Sequence, residues 1–143
     1  MKRLRQDRGS VLILSLGLFV VCVLAVGIVV DASSVFLARR SLQAEADSAA
    51  LAGAQAIDID AYYARGASDG IRLDPASVRA AVQRFVRRGS VQGQLTSVAL
   101  RDDVVLVRMT GRVRPPFSGW LTPAGAYDLE VEAGATLSYR QAR

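Results

Sequence analysis

The chain of 143 residues carries a formal net charge of +5, is 51% apolar with only 6% aromatics, and contains one cysteine and no histidine. It therefore lacks the usual residues for zinc sites and for His- or Cys-based nucleophilic catalysis, and its lone Cys22 cannot form an internal disulfide. The charge divides into a net +3 over residues 1–30 and a net +2 over the rest, so the basic pI gives no ground for nucleic acid binding, and the scattered arginines read as a solvated face.

Val11 to Val30 is a run of twenty residues without a charge. At ~1.5 Å per residue, a helix of this length crosses the ~30 Å hydrocarbon core of a bilayer. Ser15 is tolerated there by returning its hydroxyl to a carbonyl one turn back. Lys2, Arg3, Arg5 and Arg8 precede the run, whereas Asp31 is the first charge after it. The positive-inside tendency then puts residues 1–10 in the cytoplasm and everything after the span outside. A cleaved signal peptide is the competing reading. The apolar run is long for one, and no small-x-small site follows it closely.

The helical pattern continues past the membrane. Val35, Ala38, Leu42, Ala46, Ala49, Ala50, Gly53 and Ile57 recur at three-to-four spacing, with no proline between Asp31 and Ile57. The alanine-rich face has high helix propensity and lets a neighbour approach closely. Asp58 to Leu73 breaks the pattern and reads as a loop, with a short turn at Tyr62 and Tyr63. Asp58, Asp60 and Asp69 lack the spacing and closing glutamate of a calcium loop, so they read as solvated carboxylates.

Asp74-Pro75 opens a second helix as N-cap and first residue, with Val78, Ala81, Val82, Phe85 and Val86 on its buried face. Arg84, Arg87 and Arg88 suit its C-terminal dipole, and Gly89 ends it. Three strands are expected next. Leu95–Leu100 is the weakest in pattern, and Asp102-Asp103 makes a hairpin turn to Val104–Arg114. That second strand alternates Val105, Val107, Met109, Gly111 and Val113 against Leu106, Arg108, Thr110, Arg112 and Arg114. Asp128–Arg140 alternates Leu129, Val131, Ala133, Ala135, Leu137 and Tyr139 against a polar, acidic face. If the two pair, Arg108 or Arg112 lies opposite Glu130 or Glu132. The intervening Arg114–Ala126 segment reads as a loop that either folds over the sheet edge and buries Phe117, Trp120 and Leu121, or presents Trp120 and Phe117 to a partner or the membrane surface.

The expected fold class is α+β: a long N-terminal transmembrane helix continuing outside the membrane, then a small head of one helix on a three-stranded antiparallel sheet. The divisions are a basic tail (1–10), the span (11–30), the extramembrane continuation (31–57) and the head (58–143). A membrane helix running into an α+β head is the pilin-like architecture.

Residues 8–54 resemble more specifically the N-terminal segment of TadE/TadG-like proteins of the tight-adherence (Flp) pilus system. The matching features are Arg8-Gly9, the apolar span, Asp31, Leu37–Arg40 with Leu42-Gln43, and Ala46-Asp47 with Ala49–Ala54. The later "LDP" helix and "PPFSGWL" loop look like the actinobacterial members. The resemblance implies a non-enzymatic pseudopilin or accessory subunit, with pilus subunits and assembly-platform proteins as partners and no cofactor, metal or small-molecule substrate. In pilin-like precursors a membrane peptidase cuts after a glycine, and a glutamate five residues on assists assembly. Gly9 and Ser10 are the candidate processing site, with a prepilin peptidase as the implied partner. Leu14 stands where the glutamate would be, which favours an anchored accessory over a filament subunit. Val35, Leu42, Phe117 and Trp120 are the candidate partner contacts. The alternative is a membrane-anchored extracytoplasmic binding or sensing module, gripping its ligand with the Trp120 loop. An enzyme is disfavoured, because Asp58/Asp60 and Asp102/Asp103 are loop neighbours with no evident cleft.

Overall fold

A computed structural model describes residues 7–56, 73–89, 93–119 and 125–136. Residues 58–72 of the loop expected over Asp58–Leu73, Trp120, Leu121 and the expected strand continuation from Leu137 lie outside these residues. The fold is α+β: a long apolar helix, then a small helix and a three-stranded antiparallel sheet. By its contacts the chain divides into two units, Met1–Phe36 with Arg114–Ala126, and Leu37–Val113 with Tyr127–Arg143.

Helix α1 runs from Asp7 to Ala54 without interruption. No proline breaks it, and three of its serines return their hydroxyls to the preceding turn: Ser15 to the Val11 carbonyl, Ser33 to Val29 and Ser48 to Ala44, each at 2.8 Å. It closes in a tightened turn, with the Ala56 N–H donating to the Gly53 carbonyl at 3.1 Å.

In the second unit, α2 spans Pro75–Arg88. Asp74 caps it as the sequence suggests, its carboxylate accepting the Ser77 N–H at 2.8 Å. That hydrogen bond from the Ser77 backbone holds the Asp74 carboxyl below the usual value. At the other end the Gly89 N–H returns to the Phe85 carbonyl.

Strands β1 (Gln94–Arg101), β2 (Val104–Val113) and β3 (Tyr127–Thr136) form the sheet in the order β1-β2-β3. Asp102 and Asp103 both take positive φ, 46° and 65°, the conformation that a two-residue hairpin needs for its twist to match the strands. A register shift between Leu95 and Ser97 accounts for the weak alternation of β1.

The β2–β3 register places Arg108 opposite Glu132 and Arg112 opposite Asp128. Arg108 reaches both Glu132 (2.7 Å) and Glu130 (3.2 Å), as the strand pattern suggests, and Glu132 above all raises its guanidinium pKa further. Arg112 takes Asp128 at 2.9 Å instead of either glutamate, because the register offsets it by two pairs. Arg108 is nearly half exposed and its partners, like Arg112 and Asp128, half or more, so water screens these pairs and they add little to stability.

The core carries the second unit instead. Leu42, Ala46, Ala49, Ala50 and Ala54 of α1 pack with Val78 and Val82 of α2 and with Val105, Val107, Met109, Val131 and Ala133 of the sheet. Each large side chain buried there contributes about 1.5–3 kcal/mol over leaving it in water. Gly53 lets α1 approach α2 and the sheet closely: a Cβ there would stand 2.8 Å from Val82 and 3.0 Å from Val105.

Candidate functional site

The first unit contains the feature that demands an explanation. Between Ser10 and Val30 every residue of α1 is exposed except Gly27. Leu14, Ile13 and Ile28 are each at least 70% exposed. A helix apolar all round its circumference is not stable facing water and needs an apolar surrounding. This helix is long and apolar enough to cross a membrane, which is compatible with a single-pass anchor.

Gly27 is covered by a residue distant in sequence. A Cβ at Gly27 would lie 3.6 Å from Phe117 Cγ, so the missing side chain leaves a flat place on the helix for the aromatic ring. Four residues later, on the same face, Asp31 is only 9% exposed. Its two carboxylate oxygens accept the backbone N–H groups of Phe117 (2.8 Å) and Ser118 (2.6 Å). Two convergent N–H donors are the setting a carboxylate charge prefers when it leaves water.

The turn that supplies these donors is built locally. Pro115 and Pro116 restrict its entry, and the Gly119 N–H closes it onto the Pro115 carbonyl at 3.2 Å. Arg114 Nε donates to the Gly125 carbonyl at 3.2 Å, tying the two ends of the segment together. Phe117 remains 53% exposed after its contact with Gly27. Among the described residues the arrangement pairs one carboxylate with two backbone N–H groups. It is a clamp that fixes a turn to the end of an apolar helix.

Of the candidate residues from the sequence, Ser10 and Gly9 lie within α1, near its start. Val35 is half-buried. Leu42 is 4% exposed, packed against the chain's own Gly93 and Gly111. Phe36 and Leu37 are the large apolar residues exposed on α1 just after Asp31, at 64% and 62%. Phe117 stands at the clamp, and Trp120 lies outside the described residues. Sequence reasoning missed the pairing of Gly27 and Asp31 as a docking face. The available signal was a glycine one helical turn before the charge that ends the apolar run.

Residues 9–56 match the family model described as "Putative Flp pilus-assembly TadE/G-like". The match covers about a third of the chain and falls on α1, including the apolar run, Asp31 and the alanine-rich face. No curated protein and no solved structure matches the chain.

Proposed function

We propose that the chain is a membrane-anchored, non-enzymatic component of a Flp-type pilus assembly system, acting as a minor pseudopilin-like or accessory subunit. The observation that carries this reading is the coincidence of the pilus-assembly match with α1, whose apolar run is exposed at every residue but Gly27. The match associates the chain with pilus assembly, and the helix supplies the means of holding it in a membrane.

The finer points of the proposal rest on the sequence. Lys2, Arg3, Arg5 and Arg8 before the span, against Asp31 after it, favour a cytoplasmic N-terminus and an extracytoplasmic C-terminal domain. Residues 1–10 then form the tail, 11–30 the span, 31–57 its continuation and 58–143 the head. Leu14, standing where filament subunits place a glutamate, favours a permanently anchored accessory that keeps residues 1–9. The N-terminal sequence of protein extracted from membranes tests that point: Met1 marks the permanent anchor, and Ser10 marks peptidase processing.

Lateral contacts with other pilus subunits and platform proteins would use α1. Because Leu42 is occupied within the chain's own core, the available positions are Val35, Phe36, Leu37 and Leu51, the last 51% exposed. Photoreactive residues placed there, in cells that assemble the pilus, should capture a pilus or platform subunit identifiable by mass spectrometry. Recovery of monomer alone at all four positions, with function retained when the span is exchanged for an unrelated membrane helix, would overturn the proposal in favour of a simple anchored binding module.

A further inference from the structure

The clamp places a late segment of the chain at a definite depth along the apolar helix. Gly27 lies three residues before Val30, the last of the uncharged run, or ~4.5 Å inside it at the rise of an α-helix. The Phe117 ring rests on Gly27, and the backbone of the same turn is bonded to Asp31. Phe117 therefore sits alongside residues of the span itself. Val26, Ile28 and Val30 beside this contact are 61%, 70% and 39% exposed. Phe117, itself 53% exposed, lies beside them.

We propose that the Pro115–Gly119 turn is seated in the membrane interface, with Phe117 entering the acyl–headgroup boundary of a phospholipid leaflet beside Gly27 while Asp31 holds the turn's backbone at headgroup level. The inference rests on the reading of Val11–Val30 as a bilayer span, and goes beyond it by assigning a second membrane contact some ninety residues later in the chain. The chemistry is consistent at each position. An apolar ring facing outward beside an apolar helix matches lipid. A carboxylate at the edge of hydrocarbon is costly when bare, and here it is supplied with two N–H donors. The same two bonds satisfy backbone N–H groups that lipid cannot. Continuity of the Phe117 surface with the exposed span selects lipid over a protein partner as the occupant.

The test uses the full-length chain reconstituted in phosphatidylcholine vesicles whose acyl chains carry bromine at either a shallow or a deep position. One variant, Phe117→Trp with Trp120→Phe, leaves a single tryptophan at the turn. A second, Leu18→Trp with Trp120→Phe, places it within the span. The expected result is quenching at position 117 by shallow bromines more than by deep ones, with strong quenching at position 18. Quenching at 18 without quenching at 117 overturns the inference and leaves the span intact. Absence of quenching at both overturns the span together with the inference. As a check independent of replacing the ring, a nitroxide on Ser118→Cys in a Cys22→Ser chain should be more accessible to oxygen than to a water-soluble nickel chelate. The reverse order counts against the proposal.

Discussion

Gly53 and Asp31 show how single residues on one helix do different work. At Gly53 a methyl group would fall within 2.8 Å of Val82 Cγ2 and 3.0 Å of Val105 Cγ1, closer than carbon atoms tolerate. Alanine gains ~1 kcal/mol of helix propensity over glycine, whereas forcing a packed core apart costs about 1–3 kcal/mol. Both Val82 and Val105 are fully buried, so neither can swing aside cheaply. Gly53→Ala should therefore lower stability by about 1 kcal/mol or more in denaturant titration, and adding Val82→Ala should recover part of the loss. Asp31 acts through its two oxygens. Asp31→Ala removes the acceptor for the Phe117 and Ser118 N–H groups. In detergent, chymotrypsin should then cut after Phe117 several-fold faster than in the parent chain, with the unfolding midpoint of the second unit unchanged.

At the scale of elements, legibility follows the range of the interaction. The period-2 alternation of β2 and β3, the Asp74-Pro75 helix start and the Asp102-Asp103 turn each rest on neighbours within a few positions, and each is found where the sequence places it. The Phe117 turn on Gly27 and Asp31 joins residues 86 and more positions apart, and no local pattern encodes that meeting. The burial of Leu42 has the same origin, since periodicity marks an apolar face without saying which surface covers it. Arg112 found Asp128 and not a glutamate because register, a long-range property, decides the partner. The turn also offers a prediction at this scale. Asp103 takes φ of 65°, which a side chain disfavours and glycine accepts freely. Asp103→Gly should raise stability by about 0.5–1 kcal/mol, read as a higher thermal midpoint. An unchanged or lower midpoint would show that the aspartate side chain stabilises the turn by its own bonds.

For the whole molecule, the apolar span and the family match fall on the same helix, and the function proposed depends on that helix being both anchor and contact surface. The second unit buries a core shared by α1, α2 and the sheet, and on α1 Leu37 and Leu51 stay exposed within it. The central claim, participation in pilus assembly, is tested most directly by counting surface pili by electron microscopy in cells that encode the chain, after clean deletion and after complementation. The account predicts that pili are lost or sharply reduced on deletion and restored by the full-length chain, but not by a chain lacking Val11–Val30. Normal pilus number in the deletion strain would contradict it.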